Sequence, residues 1–106
     1  MTTDLTVAVC TRNRSDSLIK LLHSIEKLKN VPFSWKLVIV DNNSTDNTKE
    51  RAISFINSST LIIDYLLESN LGLHACRNRI LLEAHSPFVA YLDDDMTLSE
   101  EWLLGA

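Results

Sequence analysis

The eight residues Phe88-Val89-Ala90-Tyr91-Leu92-Asp93-Asp94-Asp95 constrain the fold more than any other stretch of the chain. Five apolar residues follow Pro87 without interruption and run into three consecutive carboxylates. An apolar run of that length, opened by a proline, reads as a strand covered on both faces, as in a parallel sheet. Adjacent carboxylates repel one another and stay ionised together only in water or around a cation. Open parallel sheets take their ligands at the carboxyl ends of their strands. The pattern therefore points to Asp93 and Asp95 as a divalent-cation and phosphate site, the alternative being a solvated acidic turn. Side-chain alternation along an extended chain puts Asp93 and Asp95 on one side and sends Asp94 outward.

The preceding residues repeat a strand-then-helix pattern three times. Leu5-Thr6-Val7-Ala8-Val9-Cys10 is a β-branched strand that ends in the polar loop Thr11-Arg12-Asn13-Arg14. Ser15 is placed to cap a helix, with Asp16 in its first turn. Leu18, Leu21, Leu22, Ile25 and Leu28 recur at helical spacing, and Val31-Pro32 ends the helix. Trp35 to Val40 is a second strand, followed by the cap-forming cluster Asp41-Asn42-Asn43-Ser44-Thr45-Asp46-Asn47. The spacing predicts a helix over 45–57, with Asn47 and Glu50 as a capping box and Ile53 and Ile56 facing inward. Leu61 to Leu66 is a third strand, interrupted by Asp64, and a loop over 68–72 leads into a helix over 73–85. Ala75, Ile80, Leu81 and Ala84 give that helix its apolar side. A last helix starts near Thr97 and Glu100 and carries Trp102 and Leu103.

Four strand–helix units predict an α/β fold with a parallel sheet and right-handed crossovers. In a doubly wound sheet of order 3-2-1-4, the winding reverses between strands 1 and 4, and the ligand crevice lies there. That order brings the loop at Cys10 to Arg14 beside Asp93 to Asp95, with Asp41 to Asn43 one strand further along. Three polar loops then surround one crevice suited to a nucleotide. No glycine-rich phosphate loop of either common kind is present. A cation must then neutralise the phosphates, helped by Arg77 or Arg79.

Four stretches carry a resemblance: Val7 to Arg14, Val38 to Asp46, Asn70-Leu71-Gly72 with Ala75-Cys76-Arg77-Asn78, and Leu92 to Asp95. In this order and spacing they resemble the family 2 glycosyltransferases of the GT-A fold. The resemblance covers nearly the whole chain. It implies a Rossmann-like GT-A nucleotide-binding half, mainly parallel, with helices on both faces of the sheet. Residues 1–106 would form one nucleotide-diphosphate-sugar-binding domain, truncated relative to a whole glycosyltransferase domain. By the same resemblance, Cys10, Thr11 and Arg12 border the base. Asp41 and Asn42 lie at that base, and the family often carries Asp where Asn42 stands. Asn70, Gly72, Arg77 and Asn78 line the base and the diphosphate, and Asp93 approaches the ribose. Asp94 belongs to the donor-binding set. Asp95, with Asp93, ligates Mn2+ or Mg2+, a hard cation that takes one or two carboxylates plus phosphate oxygens.

The implied reaction is glycosyl transfer from a nucleotide-diphosphate sugar, UDP-sugar favoured, to a saccharide, lipid or protein hydroxyl. Most of the family inverts the anomeric centre, using a carboxylate base that deprotonates the acceptor. That base is expected beyond Ala106, so this chain carries the donor half and is poorly active alone. A fragment of this kind leaves apolar surface uncovered and favours self-association.

Composition excludes other classes. A net charge of −4 with ten scattered Lys and Arg gives no basic patch for nucleic acid. Apolar runs of about five residues fall far short of the roughly 20 that a membrane helix needs. No signal peptide is visible, and two cysteines make no disulfide framework, so the cytoplasm, or the inner face of a membrane, is the expected compartment. His23 reads as a surface or half-buried residue. His74 reads as structural, with phosphate contact as the alternative. Leu92-Asp93-Asp94-Asp95-Met96-Thr97 also fits the hydrophobic-D-x-D-x-T pattern of haloacid-dehalogenase-like phosphatases. That motif sits on the first strand of its fold, and here it would sit on the fourth. A receiver-like or flavodoxin-like binding module fits the length but lacks acids after strand 1 and a flavin phosphate loop. A transferase remnant kept only for nucleotide binding is the remaining reading.

Overall fold

The computed structural model describes residues 4–28, 34–84 and 86–95. The elements run β1 (Leu5–Thr11), α1 (Ser15–Glu26), β2 (Trp35–Asp41), α2 (Thr48–Ser58), β3 (Ile63–Leu67), α3 (Leu73–Glu83) and β4 (Phe88–Asp93). Val31-Pro32 and the helix expected from Thr97 lie outside the described residues. The four strands form one parallel sheet, as the strand–helix alternation predicts, in the order β3-β2-β1-β4 that the GT-A resemblance implies.

Period-two alternation splits the core between the two faces of the sheet. Val7 and Val9 of β1, Leu37 and Ile39 of β2 and Leu92 of β4 pack with Leu18, Leu21, Leu22 and Ile25 of α1 and Ala52 and Phe55 of α2. Ala8, Val38 and Val40 point the other way and pack with Cys76 and Ile80 of α3. The leucine stripe of α1 is therefore buried as its spacing predicts. Each fully buried side chain of this size contributes roughly 1.5–3 kcal/mol.

Local details differ from the sequence expectation. Ser15 is the first residue of α1, after Arg14 at the cap position, and no side chain caps the helix. The Ser15 hydroxyl donates instead to Asn47 Oδ1 at 3.0 Å. That bond also takes Asn47 away from its expected capping box. The N–H of Thr48 is satisfied by Asp46 Oδ1 at 3.0 Å, and α2 starts at Thr48 rather than at Thr45. The inward face of α2 carries Thr48, Ala52 and Phe55, while Ile53 is exposed. In α3, Leu81 is exposed, and Cys76 joins Ile80 in the core.

β4 corrects the opening expectation. It pairs with β1 on one side and is the edge of the described sheet. Only Leu92 of the strand is buried, and Phe88 is 69% exposed. The run is not covered on both faces here, because the described part of α3 rests on β1 and β2. Leu71, Leu73, Leu81, Leu82, Phe88 and Tyr91 are exposed; Tyr91 lies on the α3 face of β4, and Phe88, in register with Leu5, lies on the opposite face.

Candidate functional site

The sheet order puts the carboxyl ends of β1, β2 and β4 side by side. Cys10 is in register with Val40 on one flank and Asp93 on the other, and Thr11 is in register with Asp41. β1 is the strand at which the winding reverses, since β2 and β3 lie to one side of it and β4 to the other. A cleft of about 330 Å³ opens there, lined by Cys10, Thr11, Arg12, Arg14, Asn42, Leu73, Cys76 and Asp94. The structure thus joins the first polar loop, the second polar loop and the acidic turn in one crevice, where open parallel sheets bind ligands.

Asp94 forms the acidic wall of this cleft. Thr11 Oγ1 donates to Asp94 Oδ2 at 3.0 Å in a buried contact. Arg14 Nη1 faces Asp94 Oδ1 at 3.4 Å, and the arginine side chain is 59% exposed. Solvent screens that ion pair, so the hydroxyl contact is the tighter of the two. Asp94 therefore turns inward, not outward as alternation suggests. Pairing with β1 ends at Asp93, and residues 94 and 95 form a turn, so extended-chain alternation no longer applies. Asp93 and Asp95, on either side of Asp94 in the chain, are exposed and are not among the residues that line the cleft.

The second loop is held from within. Asp41 is 2% exposed. Its Oδ1 accepts the Ser44 N–H at 2.8 Å, and its Oδ2 accepts the Tyr65 hydroxyl. Burial, and next the bond to Asp41, push the Tyr65 hydroxyl well above the usual tyrosine pKa. Asn42 bonds the loop over 68–72, where the expected residues Asn70 and Gly72 lie, through three side-chain hydrogen bonds. Asn13 takes φ 54° and Asn43 φ 59°, the left-handed region that asparagine tolerates. Asn13 Oδ1 accepts the N–H groups of Thr45 at 2.7 Å and Asp46 at 3.3 Å, which stitches the first loop to the second.

Arg77 and Asn78 lie on the exposed side of α3, outside the cleft lining. The Arg77 guanidinium sits over the Tyr91 ring, 5.3 Å from its centroid, a cation–π contact that ties α3 to β4. Cys10 and Cys76 are both free thiols on the cleft wall. Burial, then the neighbouring Cys76, push the Cys10 thiol up to about 12. Cys10 is thus a protonated, weakly nucleophilic group at neutral pH. Cys76 is also raised, mainly by burial. His23 belongs elsewhere: it packs edge-on against Phe55, with ring centroids 5.3 Å apart, along a groove between α1 and α2.

Three features of the cleft escaped sequence reasoning. The inward turn of Asp94 has no signal in a D-x-D pattern. Leu73 and Cys76 reach the cleft because α3 begins beside it. The Tyr65–Asp41 bond joins residues on neighbouring strands, and β3 was legible as a strand without its register.

As to a cation, the donor set is oxygen-only. Among the described residues, no three or more His, Cys, Asp or Glu side chains cluster as a metal cage. Exposed carboxylates at 93 and 95 suit a hard ion that completes its shell with phosphate oxygens. They do not suit a site for a soft metal, which would need thiolate or imidazole.

Known proteins match along the whole described chain. Residues 6–105 match the model of Glycosyl transferase family 2. The glycosyltransferase AglE of Haloferax volcanii is 24% identical over 99 residues, covering 93% of this chain and 33% of its own length. The poly(ribitol-phosphate) beta-N-acetylglucosaminyltransferase TarS of Staphylococcus aureus is 30% identical over 100 residues, 94% of this chain and 18% of its own. A crystal structure of TarS residues 1–349 in complex with UDP superposes with a TM-score of 0.84 at 27% identity, over 96% of this chain and 30% of that one. The mannosyltransferase PcManGT of Pyrobaculum calidifontis, in complex with GDP-Man and Mn2+, has the same fold, with a TM-score of 0.86 at 22% identity over 95% of this chain and 30% of that one. The chain spans about a third or less of the length of these relatives. The phosphatase alternative finds no support in these matches. With the 3-2-1-4 sheet and the cleft at its reversal point, the match over residues 6–105 shows that this chain belongs to glycosyl transferase family 2 and has its GT-A, Rossmann-like fold.

Proposed function

We propose that this chain binds a nucleotide-diphosphate sugar in the cleft between β1 and β4 and forms the donor half of an inverting hexosyltransferase. One observation carries the reading: the loops after β1 and β2 and the turn after β4 meet at the reversal point of the sheet, with Asp94 bound to Thr11. The main chain of Cys10 to Arg12 borders the base. Arg12 and Arg14 set positive charge at the mouth, where a diphosphate needs it, and Asp93 meets a ribose hydroxyl. Asp95, with Asp93, would hold Mn2+ or Mg2+, which when bound supplies Lewis-acid neutralisation of the diphosphate leaving group. Support for such a cation comes from the exposed oxygen donors next to Asp94 in the chain and from the Mn2+ in the PcManGT complex.

UDP is the favoured nucleotide, supported by the UDP complex of TarS. Activation of the acceptor hydroxyl is left to sequence beyond Ala106, in keeping with relatives about three times as long or more. The acceptor is a saccharide, lipid or protein hydroxyl. We place the chain in the cytoplasm, at the inner face of a membrane when the acceptor is a lipid. The free thiols Cys10 and Cys76 are in keeping with a reducing compartment. Among the described residues no helix is long and apolar enough to cross a membrane.

Calorimetric titration with UDP, GDP and dTDP, with and without Mn2+, tests the reading on this chain and on Asp95→Ala. Binding that needs the metal and disappears in the variant is expected. Equal binding by both proteins removes Asp95 from the site.

A further inference from the structure

The side chain of Asn42 is committed to the protein itself. The residue is 7% exposed. Its Nδ2 donates to the carbonyl of Glu68 at 3.0 Å and to the carbonyl of Asn70 at 2.8 Å. Its Oδ1 accepts the Gly72 N–H at 2.8 Å. A carboxamide has two N–H donors, and both are used here. The three bonds also fix which way round the amide lies. Exchanging its O and N would set oxygen against two carbonyls and an NH₂ against an N–H. An aspartate at this position would likewise place an oxygen against two carbonyl oxygens.

The backbone continues the same bridge. The Asn42 N–H donates to the Thr11 carbonyl at 2.8 Å, and the Glu68 N–H donates to the Asp41 carbonyl at 2.9 Å. Residue 42 thus joins the loop after β1 to the loop after β3. That second loop ends at Gly72, whose φ of +116° is rarely adopted by residues with a side chain. It then opens α3, which brings Leu73 and Cys76 to the cleft.

We propose that Asn42 is a positioning residue of the donor site: its carboxamide clamps the 68–72 loop and the start of α3 as one wall of the cleft, and it cannot donate to a base without releasing that wall. The inference rests on the donor-site reading above and deepens it. It separates position 42 of this chain from an aspartate at the same place, because only the amide satisfies two carbonyls at once. Hydrogen-bond donation to the base then falls to the main chain of Cys10 to Arg12.

The test uses the 106-residue chain and Asn42→Asp, with UDP and Mg2+ as the probe. Calorimetry at pH 7.5 is expected to show Asn42→Asp binding UDP about tenfold more weakly. The ratio of the two affinities is expected to shrink toward pH 5, where a protonated carboxyl regains one donor. Asp41, Glu68 and Asp94 border the position in both proteins, so the comparison is read as the ratio of the two affinities at each pH. A second measurement needs no variant. In NMR spectra of the unsubstituted chain, the Asn42 side-chain NH₂ and the Gly72 N–H are expected to exchange slowly. On addition of UDP the Asn42 NH₂ is expected to shift less than the backbone amides of Thr11 and Arg12. Equal or tighter UDP binding by Asn42→Asp overturns the inference alone, as does a dominant shift at the Asn42 NH₂. No UDP binding by the unsubstituted chain overturns the donor-site reading, and this inference with it.

Discussion

Removing the Tyr65 hydroxyl tests whether the second loop is held by the contact described here. In Tyr65→Phe the ring and its packing stay, and one donor to Asp41 Oδ2 is lost. Asp41 is 2% exposed, so its carboxylate gains little water in exchange. Its other oxygen keeps the Ser44 N–H. A hydrogen bond to a charged group is worth roughly 1.5–3 kcal/mol, and that is the expected loss. For a domain of this size each 1 kcal/mol lowers the melting temperature by about 4 °C, so the fall should be roughly 6–12 °C. Urea unfolding followed by circular dichroism gives the same quantity, with an unchanged m-value if the loss is in the native state. The pH dependence has a definite sign. The phenol's folded pKa lies above its unfolded value of 10.0. Its contribution is therefore complete below pH 10 and is lost as pH rises through the folded pKa. The stability gap between the two proteins should narrow only above about pH 10. A loss below about 0.5 kcal/mol at neutral pH would mean that Asp41 does not depend on this donor, and the account of the second loop would fail.

Three further outcomes are expected. Ile80→Ala should cost about 2–5 kcal/mol in urea unfolding, since Ile80 is fully buried and α3 buries only it and Cys76. Asp46, held below its usual pKa by the Thr48 hydroxyl and N–H, stabilises the start of α2 above the unfolded value of 3.8. That contribution should vanish as pH falls through the folded value, and Asp46→Asn should flatten the acid limb of a stability-versus-pH curve. The exposed apolar side chains Leu81 and Leu82 of α3 and Tyr91 of β4 should make the chain self-associate, read as a concentration-dependent mass in sedimentation equilibrium, and Leu81→Glu with Leu82→Glu should reduce it.

How much of this was legible beforehand follows from which forces act locally. The apolar runs of β1 and β2 and the leucine stripe of α1 are local patterns, and they were buried as their periodicities predict. Parallel pairing followed from the alternation of elements and the handedness of crossovers, and the order 3-2-1-4 from the resemblance to the GT-A fold. With the order known, the meeting of the first loop and the acidic turn followed too. Helix phase was a different matter. On α2 the buried face is Ala52 and Phe55, one residue away from the expected Ile53 and Ile56. One residue is about 100° of helix rotation. A weakly amphipathic helix takes its phase from the sheet it lands on, and α3 buries Cys76 in place of Leu81 for the same reason.

By itself, then, the sequence determined the alternation of strands and helices, the sheet order and the family, because hydrophobic periodicity and motif spacing are written along the chain. Only the tertiary structure decided which carboxylate faces Thr11, what holds Asp41, and that the Asn42 amide is spent on the loop over 68–72. Those three outcomes depend on hydrogen bonds between residues 24 to 83 positions apart. Such bonds form only once the sheet has placed its loops side by side, and no local pattern encodes their geometry.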